Sequence, residues 1–443
     1  VTNLKAYLLC RFAEKNANYT SWLESAPLQT VVIDEFLPDW SIPDDAGIVI
    51  THMHYRWEEL SKLRETLDQH RVPVLILSDG ILEYRNTWEH PELVDGSIFQ
   101  PLFGHKLACI GRGQARVVES WGNLGKCEVV GLPRLDSIEA SSVTPVHPAG
   151  PFRVLVATAN TPAFNDSQRQ TVVDSLNHIK NWCGENQSIH GRPIEITWRL
   201  SDGLDTELAV GDPSNDPEDR PPIGSVIEEM DAVITTPSTM YLESVLRNRP
   251  TALLDFHNSP QYVSAAWTIS ARDQFANVIS ELADPPIHKM KFQEQVLYDQ
   301  LECRSPAKPR MLELIEKMVF EGQQARAEQR ELKFPSRMLG DASYGSGQGL
   351  KDFDLAELYA ENPVFQSKDI ERLQIELAAA IKRLEQLPLE LAEKNRYIVK
   401  LMKSLDRSRV RVEDMHNRVV AIRERFGVKP AKPPVEGRDI VGD

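Results

Sequence analysis

Two hydroxyl side chains, Ser238 and Thr239, stand in a tight turn within DAVITTPSTMYLESVLRNRPTALLDF, residues Asp231 to Phe256. The apolar run Ala232 to Thr236 before them reads as a buried strand, and the stretch after them as a helix. A turn of this kind offers hydroxyls and unpaired backbone N–H groups to an anion, which is the chemistry of holding a phosphate. Glu243 follows one helical turn later, placed to meet a ribose hydroxyl. Three more apolar runs end in polar residues. Thr158, Asn160 and Thr161 follow the first run; Arg199 closes the second, where a fixed guanidinium suits a phosphate oxygen; His257, Asn258 and Ser259 follow the last. Each alone is more often structural. Four polar strand ends together predict a nucleotide site.

An earlier part of the chain carries a different chemistry. The run VPVLIL ends in Ser78-Asp79-Gly80, which sets Asp79 at a strand's carboxyl end. A carboxylate there either takes a proton from an attacking hydroxyl or merely caps the next helix. Glu83, Arg85 and Asn86 come within two turns, and Glu83 and Arg85 are assigned, with Arg112, to the acceptor side. Arg112 lies in Gly111-Arg112-Gly113, a turn able to face an anion, although a lone Gly-x-Gly is weak evidence. Arg134 and Asp136 fall at a hinge, and Arg134 is as readily structural. Asp231, at its strand's amino end, reads as a structural residue. His52 and His54 lack a third ligand, so no metal site is predicted. No P-loop, no Gly-x-Ser-x-Gly elbow and no dinucleotide fingerprint is present.

The elements that must position these residues fall into two groups. The first comprises apolar runs at Thr30–Asp34, Gly47–Thr51, Val72–Ser78, Lys106–Gly111 and Glu128–Leu132; the second, Phe152–Thr158, Ile194–Leu200, Ala232–Thr236 and Thr251–Phe256. Their continuous apolar character predicts strands covered on both faces. Helices are expected at Trp57–Gln69, Ser167–Cys183, Ser225–Met230, Met240–Asn248, Ala271–Leu282, Gln293–Cys303 and Ala307–Phe320. The fold class is therefore α/β: two Rossmann-like, doubly wound domains followed by a helical, coiled-coil tail. The expected bounds are 1–137 for the acceptor domain, 138–151 for a Pro/Ser-rich linker, and 152–333 for the nucleotide-sugar domain with its packing helices. A linker over 334–365, the tail over 366–427 and a disordered end over 428–443 complete the division. The polar stretch Ser201–Pro222 is either a lid or a solvated insertion. Apolar residues return at heptad spacing from Ile398 through Leu401, Leu405, Val412, Met415, Val419 and Ile422 to Phe426. That seam makes either an oligomerising coiled coil or a helical hairpin, and Pro388 should end the segment before it.

Composition narrows the classes further. The 443 residues are 41% hydrophobic, enough for real cores. A net charge of −15 argues against a general nucleic-acid binder. Cys10, Cys109, Cys127, Cys183 and Cys303 are scattered without metal spacing and read as reduced thiols. No apolar run is long enough to span a membrane and the first residues do not form a signal peptide, so a cytoplasmic protein is expected.

The pattern Asp231, apolar strand, Pro237-Ser238-Thr239, Glu243, Asn248-Arg249-Pro250, apolar strand resembles the donor half of the two-Rossmann (GT-B) glycosyltransferases. Ser78-Asp79-Gly80, the stretch HKLACIGRGQARVVESWG and GLPRLD at Gly131–Asp136 are similar to their first half. The resemblance spans about residues 30 to 285. It reaches the CDP-glycerol transferases of wall polymers, the UDP-sugar 2-epimerases and the CMP-sugar (sialic acid or Kdo) transferases. Asp79-Gly80 is similar to the element holding the base in bacterial sialyltransferases, and Ser238-Thr239 to their phosphate-binding pair. Those families carry His-Pro where this chain has Arg199-Leu200-Ser201, so Arg199 would have to do that work. The resemblance implies a metal-independent transferase without a cofactor, acting on a CMP- or other nucleotide sugar. A glycan or lipid-linked glycan would be the acceptor, in bacterial surface polysaccharide synthesis, at the inner face of the membrane. A glycerol-phosphate transferase, a UDP-sugar 2-epimerase or a coiled-coil scaffold on the same fold stands as the alternative. Self-assembly or a partner through the C-terminal helices is expected; nucleic acid is not.

Overall fold

Continuous apolar runs become buried strands in two parallel sheets. The computed structural model describes residues 4–9, 21–22, 24–33, 42–52, 57–93, 98–138, 150–210, 221–340, 375–376 and 389–425. Most of the expected linker at 138–151 and of the segments 341–388 and 426–443 lies outside them, as do residues 211–220 of the stretch Ser201–Pro222, Cys10 and His54. Among the described residues, the first sheet contains β1 (Lys5–Leu9), β2 (Gln29–Ile33), β3 (Ala46–Thr51), β4 (Val74–Leu77), β5 (Lys106–Cys109) and β6 (Cys127–Val129). Their order is β2-β1-β3-β4-β5-β6, and every pairing is parallel. Helix α1 (Trp57–Gln69) connects β3 to β4, and α2 (Arg112–Ser120) connects β5 to β6. Strand β1 is an addition to the sequence reading: KAYLL is short, yet Ala6 to Leu9 are all buried.

The second sheet comprises β7 (Phe152–Ala157), β8 (Ser188–Ile189), β9 (Arg192–Arg199), β10 (Ala232–Thr235), β11 (Thr251–Leu254) and β12 (Trp267–Ile269). Its order is β12-β11-β10-β7-β9-β8, parallel except for the β8–β9 edge. Helices α3 (Asp166–Glu185), α4 (Leu204–Glu207), α5 (Ile223–Glu228), α6 (Met240–Leu246) and α7 (Phe275–Ala283) connect and cover its strands. The order reverses at β7, whose neighbours are β9 and β10. That reversal opens a crevice at the carboxyl ends of β7 and β10. The start of β10 is stapled as the sequence suggests. Asp231 accepts from Arg192 at 2.6 Å and from the Arg153 amide at 3.1 Å.

After α8 (Ile287–Gln300) the chain recrosses. Helix α9 (Ala307–Ala327) was grouped by sequence with the second domain, but it packs on the first sheet. Met311, Leu314, Ile315, Met318 and Val319 share a core with Ala6, Leu8, Ile48, Ile50, Leu75 and Leu77. Helical spacing shows that α9 has one apolar face; it does not say which sheet that face will meet. Asp136 fixes the choice by accepting from the Ala307 and Lys308 amides at 2.8 Å each, capping α9 from the end of the first half.

The residues after α9 form a strap rather than the expected linker. Lys106, fully buried in β5, pairs with Glu128 at 2.7 Å and donates to the carbonyls of Gly125 and Pro335. Glu128 in turn accepts from the Met338 and Leu339 amides. The buried pair is thus satisfied on both sides and ties residues 335–339 to the sheet.

Residues Phe353–Asp443 form a separate compact unit. In it α10 (Leu389–Arg425) is a single helix that begins just after Pro388. The apolar seam Ile398, Leu401, Leu405, Val412, Met415 and Val419 is exposed in the single chain. Among the described residues, no helix is long and apolar enough to cross a membrane.

Removing one partner of a satisfied buried pair leaves a lone buried charge, which costs roughly 3–5 kcal/mol. Lys106→Met should therefore lower the unfolding free energy from urea titration by that much, and Lys106→Met with Glu128→Leu should recover only part of the loss, because the carbonyls and amides the pair satisfies lose their partners.

Candidate active site

The carboxyl ends of both sheets line one cleft of about 900 Å³. From the first half come Asp79, Gly80, Glu83, His90 and Arg134; from the second come Thr158, Asn160, Thr161, Arg199, Ser238, Thr239 and Glu243.

The Asp79 turn is held from behind. Gln114 on α2 donates to the Ser78 hydroxyl (2.8 Å) and the Gly80 carbonyl (3.2 Å) while accepting from the Ile110 amide (2.8 Å). This fixes the backbone and leaves Asp79 exposed in the cleft. Gly80 then meets the second half so closely that a Cβ there would lie 2.1 Å from the Thr239 Oγ1. Only glycine fits without a shift. The proposed proton acceptor and the proposed phosphate-binding turn are therefore neighbours. Asp79 also lies within electrostatic reach of His52, at the end of the adjacent strand. Burial lowers the His52 pKa, and the Asp79 charge opposes that shift.

On the second half, two hydroxyls tie strand ends together. Thr236 accepts from the Ala159 amide (2.8 Å) and Thr158 from the Ser201 amide (3.0 Å). Thr158 is 3% exposed, so its oxygen joins the ends of β7 and β9, whereas the sequence assigned it to the ligand. Asn160 and Thr161 are exposed in the cleft. Arg199 donates to the Pro221 carbonyl at 3.2 Å, and Ser238 lies 3.3 Å from the Thr235 hydroxyl. Helix α6 has only seven residues, so hydroxyls and guanidinium, more than a helix dipole, make this wall suited to an anion.

Arg134 crosses from the first half to Glu243 at 2.7 Å, with side chains 23% and 12% exposed. The carboxylate assigned to a ribose thus has a fixed orientation, and one of its oxygens is already bonded. The seam is closed further by His90 edge-on to Phe164 (5.0 Å), by Trp88 Nε1 donating to the Tyr262 hydroxyl (2.5 Å), and by Gln168 donating to Glu89.

Four residues assigned from sequence lie elsewhere. The Gly111-Arg112-Gly113 turn is a packing contact: a Cβ on Gly111 would lie 2.3 Å from the Gln300 carbonyl oxygen, and Arg112 is not part of the cleft. Arg85 pairs with Glu83 at 2.5 Å and is buried on the far side of its π-turn, Arg85–Glu89, while Glu83 still lines the cleft. His257 and Asn258 line a neighbouring cavity with Arg85, because β11 lies beyond β10 from the crevice. Sequence reasoning also missed the positions of Gln114 and His52. A glutamine on the face of α2 that carries Ala115 and Val118 was the available signal for the first; for the second there was none beyond its place after a strand.

No group of side chains able to hold a metal occurs among the described residues. No family model matches the chain, and no curated protein matches it. Among solved structures it is similar to S. aureus MnaA with UDP, at 11% identity and a TM-score of 0.47, covering 76% of this chain and all of that one. It is similar to the wall teichoic acid polymerase TagF with CDPG at 12% identity and 0.44, covering 73% and 91%. The UDP-GlcNAc 2-epimerase of Neisseria meningitidis bound to UDP-GlcNAc gives 10% identity and 0.49, covering 71% and 100%.

Two half-buried histidines set an acid limit. Burial, then the Arg85 charge, lower the His257 pKa, with Asp255, Glu83 and Glu89 opposing; burial also lowers His90. The unfolded chain binds these protons from about pH 6.5 downward while the folded chain does not. Stability should be level above that pH and fall as pH drops below it. In urea titrations from pH 7.5 to 5.0, His257→Gln should flatten part of that slope.

Proposed function

We propose that this chain is a glycosyltransferase moving a sugar from a nucleotide-sugar donor to a glycan acceptor in surface-polysaccharide synthesis. One observation carries the reading: Asp79 of one sheet shares a single cleft with Asn160, Arg199, Ser238, Thr239 and Glu243 of the other. The donor's phosphates lie against Arg199, Ser238 and Thr239, and its ribose against the free edge of Glu243. The acceptor hydroxyl enters from the first half. In an inverting reaction Asp79 takes the hydroxyl proton and the oxygen bonds to the anomeric carbon. The carbon–oxygen bond to phosphate breaks, and the electron pair leaves with the phosphate. Arg199 and the two hydroxyls stabilise that departing charge. The resemblance of the Pro237-Ser238-Thr239 to Pro250 stretch to the donor half of two-Rossmann transferases supports the same assignment.

Thermal shift against CMP, CDP, UDP and GDP tests it. A nucleotide at 100 times its Kd should stabilise the protein by about 2.7 kcal/mol. Arg199→Ala should weaken that nucleotide roughly 10- to 100-fold, the effect of one charged hydrogen bond. Asp79→Asn should keep the nucleotide shift but lower kcat by about 10²- to 10⁴-fold, and turnover should survive a chelator. Nucleotide release from a UDP-sugar with no acceptor would indicate an epimerase instead. The absence of any nucleotide shift would refute the enzymatic reading.

A further inference from the structure

Helix α10 has two unlike faces. Ile398, Leu401, Leu405, Val412, Met415 and Val419 are between 43% and 72% exposed. Val410 and Asp414, on the opposite side of the helix, are 7% exposed each, and Asp414 pairs with Arg418 at 2.9 Å. The back of the helix is thus covered while its apolar seam faces outward. A continuous apolar stripe of this length, roughly 30 Å from Ile398 to Val419 by helical rise, marks an interaction surface.

The shape of the seam selects a helix as its occupant. It repeats every seven residues, so in a straight helix it turns by about 20° per heptad, or about 60° over three. A flat lipid surface would see the stripe rotate away. It would also meet Arg409 and His416, which leave a straight helix within about 20° of the direction of Ile398. A second helix that winds around α10 follows the drift and keeps the seam covered.

Charge then selects which helix. With Ile398, Leu405, Val412 and Val419 at a, the flanking e and g positions from Met402 to Arg425 include Arg409, Arg411, His416, Arg418, Arg423 and Arg425, and none is acidic. In a parallel pair of identical helices g faces e; in an antiparallel pair g faces g and e faces e. Either arrangement of two copies sets basic residues against one another. Arg409 and Arg411 are exposed. The segment also inverts the sign of the chain: residues 398–425 hold eight Lys or Arg against four Asp or Glu, within a chain of net charge −15. The flanks that complement it are acidic.

We propose that α10 docks a helix of another protein, one with apolar a and d positions and Asp or Glu at e and g. The product is a heterotypic two-stranded coiled coil.

Two fluorescent four-heptad peptides are titrated against the full chain and read by anisotropy. Both carry Val at a and Leu at d; one has Glu at every e and g position, its twin Lys. The chain alone should sediment as a monomer at micromolar concentration. The Glu peptide should bind about tenfold or more tightly than the Lys twin, with salt narrowing the gap. Arg409→Glu with Arg411→Glu should reverse that preference; both side chains are exposed, and the apolar seam is untouched, so the helix is retained. Leu405→Ser with Met415→Ser should weaken the Glu peptide by about tenfold or more, with far-UV circular dichroism checking that the helix persists. The proposal is overturned if both peptides bind equally or neither binds, or if the arginine variant keeps the original preference. A dimer of the chain that Leu405→Ser dissociates would also overturn it, since the occupant is then a second copy. So would binding to vesicles of anionic phospholipid without binding of the Glu peptide, which would assign the seam to a membrane surface.

Discussion

Gly80 approaches Thr239 so closely that a Cβ at position 80 would displace the Thr239 hydroxyl. Much of the site follows from that contact. The parallel sheets end in turns that leave their polar tips at the carboxyl edge, and each sheet alone would present them to open water. The approach of Gly80 makes the two edges walls of one cleft. It is supported on the first side by Gln114, which fixes the Ser78–Gly80 backbone, and on the second by Thr236, which fixes the start of the β7 loop. The turn that carries Asp79 thus meets the turn that carries Thr239.

Polar side chains at the cleft divide into those that bond backbone and those exposed to the cleft. Thr158, Thr236, Gln114 and Glu83 form bonds within the protein that position backbone. Asp79, Asn160 and Thr161 stand exposed in the cleft. Arg134 and Glu243 are intermediate: their pair joins the halves, yet it sits where a ligand would enter. The hinge that carries Arg134 also carries Asp136, which caps α9. Closure of the cleft and the return of the chain to the first sheet therefore share one short segment.

That return has a cost in buried polarity. Lys106 and Glu128 lie inside the first half where an apolar pair would pack more cheaply. They hold residues 335–339 through four contacts, two carbonyls on the lysine and two amides on the glutamate.

The sequence by itself determined the two strand groups, most helices and the polar turns at strand ends, because continuous apolar runs and turn residues are local signals. It placed Ser238, Thr239, Arg199, Asn160 and Asp79 at carboxyl edges for the same reason. Strand β1 was missed although runs of the same length were read elsewhere. Tertiary structure alone decided which edges face each other. Arg112 follows a strand like the others, but α8 packs against its turn; His257 follows a strand that lies one place too far from the crevice; Arg85 turns away with its π-turn. Tertiary structure alone also sent α9 to the first sheet, since an amphipathic face records that it must be covered and not by what. Spacing along the chain fixes which way a side chain leaves its own element, while its neighbours from distant elements are fixed only by packing.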